Sequence, residues 1–246
     1  YKVRAYLLIN GKHYYGPYSK SVALNPYSDN PNASDFSEFH MGYQTSNRSS
    51  STGFDRNYDE GGSFSMAAAY LTRGTCPVYE WQAPYKNLRS AADVSFSPAL
   101  KIDEIIFIPE RKSALDNQAI KQTVINYGAV SASYVSVEEY YSSDDLSYYL
   151  PADYNAGRAP VGSSPVIATN HAIAIIGWDD NYSKENFVTE PAGNGAFLCK
   201  NSWGTEIADN GYFYISYYDG FLGIQEFSMA FGKVSSDKTY KRIYQY

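Results

Sequence analysis

The sequence predicts an α+β fold, with helices in its first half and strands in its second, on three observations. Apolar residues recur at helical spacing over residues 63–74 and again over 116–128, each segment running towards a glycine. From residue 129 on, the pattern turns to short strand-like runs: AVSASYVSV, HAIAIIGW, GAFLCKNSW and GYFYISYYD. Helices followed by strands, rather than alternating with them, is the order of an α+β protein. The 246 residues, 44% of them hydrophobic, suffice for one large two-lobed domain or two ordinary ones.

Taken in order, residues 1–24, YKVRAYLLINGKHYYGPYSKSVAL, alternate at Tyr1, Val3, Ala5 and Leu7 and turn at NGK, which reads as a β-hairpin. The motifs Y-x-V-R-A and G-P-Y-S resemble the last two strands of a fibronectin type III sandwich. A lone hairpin is marginal in water, so it either packs on the rest of the chain or belongs to a domain cut at Tyr1. Residues 25–34, NPYSDNPNAS, are turn and linker chemistry. Ser51 to Gly62 reads as loop. Phe64, Ala67, Ala68 and Leu71 then form one helical face, with Ser63 to cap it and Gly74 to stop it. IDEIIFIP at 102–109 reads as an edge-proximal strand halted by proline. In the next helix Ile120, Thr123, Val124 and Tyr127 share a face, between Asp116 as cap and Gly128 as terminator.

Composition excludes some functions. Net charge is -6 and charged residues are only 19% of the chain, so no basic stripe exists to neutralise phosphates and nucleic acid is not an expected partner. No run of 18 apolar residues is present, hence no expected membrane-spanning helix. The 26 tyrosines suggest a surface of amphipathic rings suited to peptides or glycans. Two cysteines do not make a disulfide framework, and no metal site or cofactor is expected.

The chemistry lies in two segments. NHAIAIIGWDD puts His171 at the start of an apolar strand, where an imidazole, titrating near neutral pH, can take and return a proton. FLCKNSWGTEIADNGYFYISYYD adds Asn201, whose amide can orient the ring, and Trp203, whose indole can shield their bond from water. These segments resemble the histidine and asparagine signatures of papain-family cysteine peptidases. The 30 residues between His171 and Asn201 include a polar, turn-rich stretch that reads as a surface excursion between neighbouring strands. Two further segments carry the likeness: DFSE, similar to the segment after the family's cysteine helix, and YDEGGSFSMAAAYL, similar to its substrate-cleft segment.

The nucleophile is not found. In papain-like enzymes the cysteine lies about 130 to 150 residues before the histidine, and that window holds no cysteine here. Cys76, in RGTCPVYEW, precedes a proline that demands extended backbone rather than the helix N-terminus that lowers a thiol pKa. Cys199 shares a strand and a face with Asn201, whereas a nucleophile must meet the histidine from across a cleft, so it reads as a small buried hydrophobe.

The resemblance implies a papain-like two-lobed α+β fold with a depleted helical lobe and a β-barrel lobe. It divides the chain into a fibronectin-like remnant at 1–24, a linker at 25–34, a peptidase domain lacking its cysteine helix at 35–235, and a tail at 236–246. It implies catalytic His171 and Asn201 supported by Trp203, peptide-binding Gly61 and Gly62, and Asn170 shaping a side-chain pocket. Because the chain opens on Tyr1, it is expected to be processed or excised from something longer, with the cysteine helix encoded upstream or supplied by another chain. The function expected is that of a cysteine peptidase whose chain is inactive without that helix. The alternatives are a non-catalytic peptide-binding module and an adhesive surface protein. By resemblance, the location is the bacterial cell surface or the extracellular space.

Overall fold

The computed structural model describes residues 6–9, 12–15, 35–46, 53–58, 60–74, 77–85, 97–154, 168–204 and 209–235. The proposed linker, the C-terminal tail and Cys76 lie outside these residues. Chain contacts divide the molecule into two units, one of Val22–Ile105 with Phe231–Tyr246 and Tyr1, the other of Lys2–Ser21 with Ile106–Ala230.

Among the described residues of the first unit, α1 (Glu38–Gln44) and α2 (Phe64–Thr72) are helical. Sequence periodicity misses α1, which is only seven residues long and carries Gly42, but its start has a cap: Ser37 Oγ accepts from His40 N at 3.0 Å. Helix α2 begins and ends as expected. Ser63 Oγ accepts from Met66 N at 3.4 Å, and Gly74 follows with φ +85°, a conformation glycine adopts without steric cost. Ala68, Tyr70 and Leu71 are its buried residues, so the apolar face is rotated towards Tyr70 and away from Phe64. Tyr70 and Leu71 pack with Leu100 and Ile102, while Phe39 packs with Val78 and Ala83.

Buried His40 joins these helices, its Nδ1 lying 2.7 Å from the Tyr70 hydroxyl. Burial lowers its pKa from 6.5 to about 4. The unfolded chain therefore takes up a proton below pH 6.5 that the folded ring refuses until about pH 4. Its contribution to stability is whole above pH 6.5 and is lost as pH falls towards 4, by up to about 3 kcal/mol. Denaturant unfolding at pH 7 and 4.5 should show a larger acid loss in the parent than in His40→Gln. Equal losses would remove His40 as the cause.

The second unit holds the expected hairpin, β1 (Tyr6–Ile9) and β2 (Lys12–Tyr15), antiparallel with Ile9 opposite Lys12. It also holds α3 (Gln118–Tyr127), β4 (Val130–Tyr134), β5 (Tyr141–Ser142), β6 (Ser147–Tyr148), β7 (His171–Asp179), β8 (Ala196–Lys200) and β9 (Tyr212–Ser216). Strands β3 (Lys101–Ile108) and β10 (Ser228–Ser235) are each divided between the units. The sheet order is β3-β10-β4-β7-β8-β9-β6-β5, so β3 is the edge strand its terminal proline suggests. Strand β1 of the hairpin runs beside β7.

Helix α3 buries Ile120, Thr123 and Val124 and ends at Gly128, φ +101°. Its cap differs from expectation. Asn117 holds the N-cap position without a side-chain bond, and Asp116 instead accepts from Lys112 N at 3.0 Å, closing the preceding turn. The tyrosines divide: Tyr70, Tyr134 and Tyr148 are fully buried in the core, while Tyr58, Tyr85, Tyr127 and Tyr212 are exposed. Isoleucines 173 and 175 of β7 alternate into the core until a bulge between Ile175 and Gly177 resets the faces and buries Trp178.

Candidate functional site

Strands β7 and β8 are antiparallel neighbours, with Ala174 opposite Lys200, so the first residue of β7 and the residues just past β8 lie at the same end of the sheet. This brings His171 to Asn201 and Trp203. His171 Nε2 is 2.9 Å from Asn201 Oδ1, and the Trp203 ring stands 4.7 Å from the imidazole, tilted 35°. The backbone of Ser202 also donates to Asn201 Oδ1, at 2.8 Å, which identifies that atom as the acceptor. Nε2 therefore donates to it, and Nδ1 is the nitrogen this bond leaves available. Asn201 is buried and its own N–H donates to Gly211 O at 2.9 Å, which ties it to the following turn. In that turn Asn210 and Gly211 both have positive φ, 52° and 82°, as a primed hairpin turn into β9 requires.

Cys199 is fully buried, paired across the sheet with Ile175 and Phe213, and its sulfur lies 3.7 Å from Phe197 O and also interacts with the Ile215 backbone. Burial pushes its thiol pKa well up, which favours the protonated thiol. Asn170, immediately before His171, is exposed, and its side chain grips the Ser136 backbone: Oδ1 accepts from Ser136 N at 2.6 Å and Nδ2 donates to Ser136 O at 3.0 Å. In the other unit, Gly61 and Gly62 are exposed, and a Cβ on Gly61 would meet nothing within 4 Å. Packing does not require that glycine. Among the described residues no group of three or more His, Cys, Asp or Glu side chains could hold a metal ion, and no helix is long and apolar enough to cross a membrane.

Sequence reasoning misses the tyrosines around His171. Tyr134, directly opposite His171 in the β4–β7 ladder, meets its ring edge-on at 5.6 Å, and Tyr141 lies 6.4 Å from Trp203. The tyrosine-rich YVSVEEYYSSDDLSYY segment was the available signal, but its alternation does not say which rings turn inward.

The model of the papain family of cysteine proteases matches residues 51–231. The chain belongs to that family. Among solved structures it is similar to the clostridial cysteine protease Cwp84 after propeptide cleavage, with 29% identity and a TM-score of 0.65 over 82% of this chain and 47% of that one. It is equally similar to the cysteine protease and lectin-like domains of Cwp84, a surface-layer-associated protein of Clostridium difficile, at 29% identity and TM-score 0.64, over 82% of this chain and 42% of that one. The chain thus spans less than half the length of these structures. Bromelain of Ananas comosus in complex with the inhibitor E64 shares the fold, at 16% identity and TM-score 0.52, over 80% of this chain and 77% of that one. No curated protein matches the chain.

Proposed function

We propose that this chain carries the proton-transfer half of a papain-type peptidase and hydrolyses peptide bonds only when a cysteine helix from outside these 246 residues joins it. The observation that carries this reading is the His171–Asn201 bond of 2.9 Å beneath Trp203. Nδ1 of His171 takes the proton of an incoming cysteine thiol, and the thiolate adds to the substrate carbonyl carbon. The imidazolium then protonates the leaving amine as the C–N bond breaks, leaving a thioester that water hydrolyses with His171 again accepting a proton. Asn201 holds the ring through both transfers. Gly61, with open space above it, and the exposed Gly62 suit backbone pairing with an extended peptide, and Asn170 shapes a side-chain pocket.

Without that helix the described residues offer no thiolate, since Cys199 is buried among apolar side chains. By itself it is inactive. A non-catalytic peptide-binding or adhesive module is the second reading, favoured by the same burial of Cys199 and by the exposed glycine pair. The likeness to Cwp84 supports a bacterial surface or extracellular location, and the 1–24 segment is read as a fibronectin type III remnant.

An irreversible epoxide that alkylates active-site thiols tests this. The 246-residue chain should remain unlabelled, whereas a chain carrying the family's cysteine helix upstream of Asp35 should label and cleave peptide amides. Stoichiometric labelling of Cys199 that disappears in His171→Ala would overturn the reading and make Cys199 the nucleophile.

A further inference from the structure

His171 is held from two sides. Trp203 stands against the imidazole at 4.7 Å, and Tyr134 meets it edge-on at 5.6 Å with an interplanar angle of 69°. The indole already has a role as a shield, but Tyr134 has none. It is fully buried, packed against Tyr148 at 5.2 Å and Phe213 at 6.4 Å, so its ring has little room to turn. Its hydroxyl hydrogen-bonds that of Tyr141, and the Ser136 side chain bonds both phenols. Tyr141 in turn lies 6.4 Å from Trp203. His171, Tyr134, Tyr141 and Trp203 therefore close a circuit, in which the imidazole cannot swing without displacing another ring. The Ser136 backbone also makes both bonds to the Asn170 side chain, its N–H donating to Oδ1 and its carbonyl accepting from Nδ2, so the segment that anchors the phenols anchors the backbone entering His171.

We propose that Tyr134 is a positioning residue for the His171–Asn201 pair, its ring holding the imidazole in line with Asn201 Oδ1 and its phenol bond to Tyr141 fixing that ring. This rests on His171 being the proton carrier. Burial pushes the Tyr134 phenol far above its ordinary range, so it acts as a neutral hydrogen-bonding group throughout. An aliphatic side chain would fill part of the same space but would lack both the flat edge against the imidazole and the hydroxyl that locks it.

The test needs no catalysis. In the ¹⁵N-labelled 246-residue chain, exchange of the His171 Nε2 proton with water is compared with exchange of the Ile173 and Ile175 backbone amides, which lie in the same strand. Tyr134→Leu should accelerate the imidazole proton by about tenfold or more and leave the two amides unchanged, because the pair opens locally while the sheet does not. Tyr134→Phe and Tyr141→Phe, which keep the rings and lose only the phenol bond, should give smaller accelerations confined to the same proton. An unchanged imidazole proton in Tyr134→Leu, or an equal acceleration of Ile173 and Ile175, overturns the inference. Should Tyr134→Leu fail to fold, Tyr141→Phe decides: exchange at the parent rate overturns it. A parent chain with no protected Nε2 proton also overturns it, whatever the epoxide result. Failure of the peptidase reading would show instead as Cys199 labelling or as an unlabelled helix-completed chain.

Discussion

In a chain completed with the family's cysteine helix, His171→Ala is expected to lower kcat/KM for a peptide amide by about 10²–10⁴-fold, the range that a positioned acid–base group contributes. The loss should fall on kcat, because the imidazole acts on protons moving in the transition state and not on the resting substrate. Asn201→Ala removes the orienting acceptor at 2.9 Å but leaves the ring, so its effect should be smaller than that of His171→Ala. Steady-state kinetics, with active sites counted by thiol titration, checks both. Activity of His171→Ala within a few-fold of the completed parent would mean that some other group moves the proton.

The pair could be read from sequence because its parts are local. An apolar strand beginning at His171 and a second strand running into Asn201-Ser202-Trp203 need only be antiparallel neighbours to meet, and their pairing is what the structure adds. The helices at 64–72 and 118–127 were legible for the same reason, since spacing, caps and terminal glycines act within one segment. What depended on distant partners was not legible. The inward turn of Tyr134 follows from its place opposite His171, 37 residues on, and the bulge after Ile175 follows from the fit of β7 to β8. Helix α1 was missed because seven residues around a glycine give no period, and Asp116 was misjudged as a cap because proximity to a helix does not say which amide a carboxylate reaches. The role of Asp219, at the end of the run GYFYISYYD, is not legible in sequence, since its link to Leu150 spans 69 residues.

Asp219→Ala is expected to destabilise the second unit by about 3–5 kcal/mol, the cost of stranding buried partners of a charge. The carboxylate is 1% exposed, and its Oδ1 accepts from Phe221 N at 3.0 Å and Leu222 N at 2.8 Å, while Oδ2 accepts from Leu150 N at 2.9 Å. Burial pushes its pKa up to about 6, opposed by those three amides and by the nearby Arg111 guanidinium, so at neutral pH it is mainly ionised. Arg111 is itself buried and donates to the carbonyls of Leu222, Tyr217 and Ala114. Alanine would leave three amides without their acceptor and the guanidinium without the larger of its two carboxylate counter-charges, Asp116 remaining. Asp219→Asn keeps a carbonyl oxygen for Phe221 and Leu222 and loses mainly the Leu150 bond and the charge, so it should cost less than alanine. The consequence reaches the site, because Leu150 follows β6, β6 pairs with β5 through Tyr148 and Tyr141, and Tyr141 bonds Tyr134 beside His171. Denaturant unfolding of the two variants at pH 7 measures the stability difference, and the His171 Nε2 exchange rate reads its transmission. A loss below about 1 kcal/mol for Asp219→Ala would mean that water enters and satisfies the three amides, and that the segments leaving β6 and β9 are not held together by this carboxylate.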